Sequence, residues 1–162
     1  MIQIMSKLGD LLIDEMDRTK AQLVIQYDKL GLRASGDYEK GLETYMVESQ
    51  TNIRAGILGA KHSQYMEQGR GPNKRQDRGM IAFIYVKMLE WMNVKNITDI
   101  IPWMAARKIV REGITVPNPY NKGGVISEVV NEQWLDDLQS KILNVQNETF
   151  MDAVLSDLKI LE

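Results

Sequence analysis

Apolar residues recur every three or four positions through residues 3–30, with charged residues between them. This spacing places the apolar side chains on one face of a helix, so it predicts a long amphipathic N-terminal helix. Gly31 predicts its end, because glycine readily adopts the left-handed conformation that terminates many helices. The N-terminal helical segment is therefore residues 1–31. Its apolar positions are Met5, Leu8, Leu12, Met16, Leu23, Tyr27 and Leu30.

Two short segments rich in β-branched and apolar residues follow a loop of Gly, Ser and Asp over residues 33–40. Residues 42–48 and 52–58 alternate partly between apolar and polar side chains, and the residues between them are polar. This pattern predicts an antiparallel β-hairpin over residues 42–59. So small a sheet exposes its edges, and an exposed edge can pair with a strand of another copy.

Residues 80–162 are expected to be mainly helical. A strongly apolar stretch of helical length covers residues 80–93. A second helix is predicted to end at Glu112, before Gly113, and to be capped at its start by Thr98 or Asp99, with Pro102 tolerated in its first turn.

Two more helices are predicted nearer the C-terminus. Residues 115–124 are rich in Pro and Gly and predict a loop. Helical spacing resumes at Ile126 and continues to Ile142, and residues 144–162 predict a separate helix. The 162 residues suffice for one domain. The expected fold is thus a single α+β domain over residues 1–162, with helices packed on a small antiparallel sheet.

The composition argues against several kinds of chemistry. Cysteine is absent, so thiolate nucleophiles, disulfides and Cys-based zinc sites are excluded. The single histidine, His62, has no second histidine or paired carboxylates near it in sequence. We therefore expect a protein that is not an enzyme and uses no cofactor or metal. No apolar run reaches the roughly 20 residues of a membrane span, so we expect a cytosolic protein without a membrane partner.

Charge is distributed unevenly along the chain. Residues 60–125 contain eleven Lys or Arg and five Asp or Glu, whereas residues 126–162 contain two and eight. Opposed segments of this kind can pair between neighbouring copies or face different partners, because complementary potentials orient assembly. A solvated surface with uneven charge explains the same counts equally well.

Residues 69–79 contain too few apolar side chains to form an element and predict a basic loop. Within it lie Arg70, Lys74, Arg75 and Arg78, a density that suits the phosphates of double-stranded DNA or an acidic protein. The glycines lack the spacing of a phosphate-binding P-loop. A second basic cluster, on a predicted helix, consists of Arg107, Lys108 and Arg111. Taken alone, residues 70–78 are compatible with a small nucleic-acid-binding accessory protein.

The segment Tyr65-Met66-Glu67-Gln68-Gly69 resembles the Tyr-Val-Glu-Phe-Gly type motif of the head–tail connector and tail-completion proteins of tailed bacteriophages. Three further segments are similar to the same family and follow in its order. They are residues 34–38, the hairpin-like residues 53–59, and residues 104–113, which contain Ala-Arg-Lys-Ile and end in Gly. Together the matches span about residues 34–140.

This resemblance implies a structural protein of the virion neck, assembled in the host cytoplasm. Such a protein forms a homo-oligomeric ring between a portal or adaptor protein above and a tail protein below, and it continues the DNA channel. The resemblance places the contacts between copies or partners at Tyr65, Glu67, Gly69, Arg70, Gly71 and Pro72. It allows the DNA channel or an acidic partner to face Lys74, Arg75, Arg78, Arg107, Lys108 and Arg111.

Two specific roles are expected within that set. Glu67 is expected to pair with an arginine of the adjacent copy. Gly69 and Gly71 are expected to adopt backbone angles that other residues resist.

Overall fold

The structure is a computed structural model that describes residues 2–33, 36–49, 51–59 and 63–159. Six helices and two strands make up these residues, which confirms the predicted α+β class. In chain order they are α1 (Ile2–Lys29), α2 (Asp37–Lys40), β1 (Glu43–Glu48), β2 (Ile53–Leu58), α3 (Ser63–Gln68), α4 (Arg78–Lys95), α5 (Pro102–Glu112) and α6 (Glu132–Lys159).

Helix α1 is the central element of one half of the molecule, because it packs against both strands and against α6. Near the start of α1, the Lys7 ammonium group lies 3.3 Å from the Asp152 carboxylate. Further along, the Trp134 ring nitrogen donates a hydrogen bond of 2.9 Å to the Thr19 hydroxyl. As the position on α1 increases, the partner on α6 decreases, so the two long helices run antiparallel.

The predicted hairpin is confirmed. Strands β1 and β2 pair in antiparallel register, with Glu43 opposite Leu58 at one end and Glu48 opposite Ile53 at the other. In the described part of the chain these two strands form a sheet by themselves. Each strand therefore has one edge that is not paired with another strand of this sheet.

The first hydrophobic core lies where α1, α2 and the chain before α6 meet. Its buried residues are Leu23, Tyr27, Tyr38, Leu42 and Val125. The rings of Tyr27 and Tyr38 contact each other with centroids 4.5 Å apart. Leu23 and Tyr27 belong to the apolar face predicted for α1, so its periodicity correctly indicated part of this core.

The second hydrophobic core is smaller and lies between α4 and α5. Ile81 of α4 is buried there against Ala106 and Val110 of α5. Ala106 brings the two helices close together because its side chain is small, and the Tyr85 ring meets Trp103 edge-on at 5.7 Å. Together, α4 and α5 form a helical pair with a core of their own.

Helix boundaries near the middle of the chain differ from the prediction. Helix α4 begins at Arg78 rather than at residue 80, because the Asp77 carboxylate accepts a hydrogen bond of 2.8 Å from the Met80 amide. The predicted caps Thr98 and Asp99 are wrong. Helix α5 begins directly at Pro102, whose missing amide hydrogen costs nothing in a first turn.

Three other predictions about helix positions differ from the structure, and one is confirmed. A one-turn helix, α2, lies within the predicted loop of residues 33–40. Helix α6 is continuous from Glu132 to Lys159, where two helices were predicted, because nothing in residues 142–144 breaks the backbone hydrogen bonding. It starts six residues later than Ile126. The predicted end of α5 at Glu112, followed by Gly113, is confirmed.

Candidate assembly interface

The segment that carries the family resemblance begins in a helix. Helix α3 covers Ser63–Gln68, and the glycine-containing loop starts only after it. Met66 packs against the first core, whereas Tyr65 is 46% exposed and lies on the surface. Tyr65 is therefore available for the contact that was predicted for it. His62 and residues 34–35 lie outside the described residues.

Glu67 uses its carboxylate within the chain. It accepts hydrogen bonds from the backbone amides of Ile126, at 3.0 Å, and Ser127, at 3.3 Å, and from the Ser127 hydroxyl. Burial raises the pKa of Glu67, but these hydrogen bonds outweigh it and hold the pKa below the ordinary value of 4.5. An arginine of another copy would have to compete with these bonds for the same oxygens.

Gly69 is required by the backbone geometry, as predicted. Its φ angle is +74°, a conformation that L side chains rarely adopt. Its neighbour Arg70 exchanges two backbone hydrogen bonds of 2.8 Å with Ile114, directly after α5. The prediction for Gly71 is wrong: its φ is not positive, and a side chain there would point into open space.

Arg70, which was predicted to contact a partner, forms a hydrogen bond within its own loop. Arg70 is half-buried and donates a hydrogen bond of 2.7 Å to the Asn73 side-chain oxygen. The Asn73 amide in turn donates to the Val110 carbonyl at 2.9 Å. Pro72, between them, is exposed. Of these three, Pro72 offers the most accessible surface to a partner.

Residues 63–73, which we call the junction, connect the two halves of the molecule. On one side they bind the loop before α6. The Glu67 carboxylate accepts a hydrogen bond from the Ile126 backbone amide, and the Met66 carbonyl accepts one of 2.8 Å from the Asn121 side-chain amide. On the other side they bind the end of α5 through Arg70 and Asn73. The residues predicted to form the interface therefore also hold the two halves of the fold together.

The remaining basic loop residues are on the surface. Lys74, Arg75 and Arg78 are all exposed. Arg75 lies 2.8 Å from the Asp77 carboxylate, and this exposed pair partly neutralises the cluster. Lys74 and Arg78 thus carry most of the cationic character that the loop presents to a partner.

The second basic cluster lies on a helix, α5, as predicted, and its side chains are on the exposed side. Arg107, Lys108 and Arg111 are exposed, and Lys108 has only a long contact of 3.9 Å with Glu112. The three cations border a surface groove of about 690 Å³.

The same groove contains apolar side chains that the sequence analysis did not single out. Ile101 is 63% exposed and Met104 is 64% exposed, and both line the groove. The spacing of Ile101, Met104, Lys108 and Arg111 could have indicated this surface, because it places all four residues on one face of a helix. Asp99 and Glu112 also line the groove, so its net charge is positive but small. We call this surface the α5 groove.

The chain as a whole exposes more surface than a compact monomer of its size. Its accessible area is 11556 Å² at 18.5 kDa. The area expected for a monomer of this mass is about 8,200 Å², so the surplus is about 3,300 Å². Many large apolar side chains are exposed. Large exposed apolar side chains occur on β1 and β2 (Tyr45, Met46, Val47, Leu58) and on α6 (Leu135, Leu143, Phe150, Met151, Val154, Leu155).

An apolar cavity of about 620 Å³ lies between α1, the hairpin and α6. Tyr38 and Ser63 are among the residues that line it, and their buried hydroxyl groups have no hydrogen-bond partner in the described structure. Burial raises the pKa of Tyr38 to about 12, and the charges of Glu67 and Tyr27 add to this effect. This cavity shows that packing near the junction is incomplete.

Among residues 2–33, 36–49, 51–59 and 63–159, no group of three or more His, Cys, Asp or Glu side chains is placed to hold a metal ion. Within the same residues, none of the helices has the length and apolar character required to cross a membrane. Comparison with models of protein families, with curated proteins and with solved structures finds no match for the chain.

Proposed function

We propose that this chain is a structural subunit of a ring at the head–tail interface of a tailed bacteriophage. In this role it joins the portal or an adaptor above to the tail below and lines part of the DNA channel. The single observation that carries the proposal is the surplus of about 3,300 Å² of accessible surface over that of a compact monomer. The resemblance of residues 65–69 to the connector family supplies the identity of the assembly.

The size of the surplus suits a subunit with two neighbours. A standard protein–protein interface buries about 800 Å² on each partner, so a ring subunit with two such contacts buries about 1,600 Å². The remaining surplus, about 1,700 Å², leaves area for the proteins above and below. The exposed apolar side chains of the hairpin and α6 support this reading, because large contiguous apolar patches are uncommon on monomeric proteins.

The test is native mass spectrometry of the purified chain, first alone and then mixed with the portal and tail proteins of the same phage. We expect either a closed ring or a monomer that becomes a symmetric ring only with these partners. A chain that stays monomeric and binds neither protein would contradict the proposal.

A second candidate function is non-specific nucleic-acid binding by the basic loop. Its support is the exposure of Lys74 and Arg78. A monomer that binds double-stranded DNA, with an affinity that falls steeply as salt concentration rises, would favour this function. In the ring, the same two residues and the cations of α5 are candidates to face the DNA or an acidic partner.

A further inference from the structure

The outer surface of α6 is apolar and acidic. Leu143, Phe150 and Val154 are spaced by seven and four residues, so they form one stripe, and all three are exposed. The basic residue Lys141 does not contribute to this surface, because it pairs with the buried Glu15 of α1 at 2.7 Å.

The charges that remain on this part of α6 are negative. Among residues 132–156, Asp152 is engaged by Lys7. The other exposed carboxylates are Glu132 and Asp136, which lie in line with the apolar stripe, and Asp137 and Glu148, which lie on the flank of the helix. We call this surface, with its apolar stripe, the α6 face.

The α5 groove has the complementary composition. It offers the apolar side chains of Ile101 and Met104. Its three cations, Arg107, Lys108 and Arg111, outnumber its two carboxylates, Asp99 and Glu112. Within one chain α6 packs along α1, and α5 packs on α4. Both surfaces are exposed in the isolated chain and are available to another copy.

We propose that the α6 face of one copy binds the α5 groove of the next copy. The proposal rests on the proposed function and names the surfaces through which the subunits join. Pairing two α6 faces would bring carboxylates together, and pairing two α5 grooves would join two surfaces that each carry a net positive charge. The contact between unlike surfaces is therefore electrostatically the most favourable, and a contact of this heterologous kind generates a ring when its rotation closes.

The test uses two charge-reversed variants of the full chain. In the first, Glu132, Asp136 and Asp137 are replaced by Lys, so both surfaces are basic. In the second, Arg107, Lys108 and Arg111 are replaced by Glu, so both surfaces are acidic. A control variant replaces Lys29, Lys40 and Lys122, which are exposed and lie outside both surfaces, by Glu. This changes the total charge as much as the second variant does. Circular dichroism verifies that all four proteins fold.

Each reversed variant alone is expected to associate at least about tenfold more weakly than the wild-type chain in sedimentation experiments. Mixing the two variants is expected to restore assemblies with equal numbers of each, because each basic surface then meets an acidic one. Native mass spectrometry distinguishes such mixed assemblies by the masses of their subunits. The control variant is expected to assemble as the wild-type chain does.

The outcomes separate this contact from the proposed function. If the wild-type chain assembles and neither reversal weakens it, or if mixing the variants restores nothing, the contact between α6 and α5 is overturned while the ring function stands. If the wild-type chain requires portal protein to assemble, the same four proteins are compared in its presence. A wild-type chain that never assembles contradicts both proposals.

Discussion

A Cβ atom built on Gly69 would lie 2.1 Å from the carbonyl oxygen of Ile114. This close approach exists because residues 69–70 run alongside the backbone that follows α5, and Arg70 exchanges two hydrogen bonds with Ile114 there. The junction between the two hydrophobic cores thus depends on the absence of a side chain at one position.

Replacing Gly69 by Ala is expected to lower the free energy of unfolding by at least about 2 kcal/mol, because the left-handed backbone and the overlap with Ile114 both oppose a side chain. Urea unfolding measures this change. The matched control is Gly71→Ala, two residues away, which has open space around it. We expect the control to change stability by no more than about 0.5 kcal/mol. Equal effects at both positions would contradict the geometry described for the junction.

Glu67→Gln is expected to destabilise the protein at pH 7 by about 1–2 kcal/mol, because the substituted amide cannot accept the same charge-assisted hydrogen bonds from Ile126 and Ser127. Glu43, which is exposed on β1, provides a control. Glu43→Gln is expected to have no measurable effect on urea unfolding. If Glu67→Gln left the stability unchanged, these hydrogen bonds would contribute little to it.

The contribution of Glu67 is expected to depend on pH. Its pKa is lower in the folded protein than the ordinary value of 4.5, so the folded state favours the ionised form. The stabilisation is therefore complete above that value and disappears as the pH falls through the lower, folded pKa. Urea unfolding of wild type and Glu67→Gln at pH 7 and at acid pH should show the difference in stability narrowing in acid. A constant difference would contradict the lowered pKa.

Tyr38→Phe is expected to leave the stability unchanged or to raise it by about 1 kcal/mol, because the buried hydroxyl it removes has no hydrogen-bond partner in the described structure. Thr19→Val is a useful contrast, since the Thr19 hydroxyl accepts a bond from Trp134 and donates to the Glu15 carbonyl. That variant should be less stable than wild type. A clear loss of stability in Tyr38→Phe would mean that its hydroxyl is satisfied by a group such as a bound water.

At alkaline pH, Tyr38 is expected to weaken the folded state. Its pKa of about 12 in the folded protein lies above the ordinary value of 10.0, so the folded state holds the proton more tightly than the unfolded chain. Stability is then lost as the pH rises from 10.0 towards 12. Thermal unfolding across this range should fall more steeply for the wild-type chain than for Tyr38→Phe. Equal slopes would contradict the raised pKa.

The hypothesis drawn from the residue 65–69 motif illustrates how far sequence patterns reach. The interface role of this segment stays a prediction, and the motif did not indicate the role of its residues within the fold. Glu67 binds amides that are 59 and 60 residues away along the chain, and no local pattern indicates that pairing. Gly69 was identified for the correct physical reason, whereas Gly71 has the same identity without the same backbone constraint. Only the path of the folded chain distinguishes the two glycines.

Local sequence decided the elements of this protein. The three- and four-residue spacing of α1, the alternation in the hairpin and the glycine after α5 are short-range patterns, and backbone geometry converts each of them directly into structure. The tertiary structure decided how apolar residues are divided between core and surface. Phe150 and Tyr27 both occupy helical positions, yet one is exposed and the other buried. The reason is that burial depends on which distant elements pack against a helix, and helical periodicity carries no information about them.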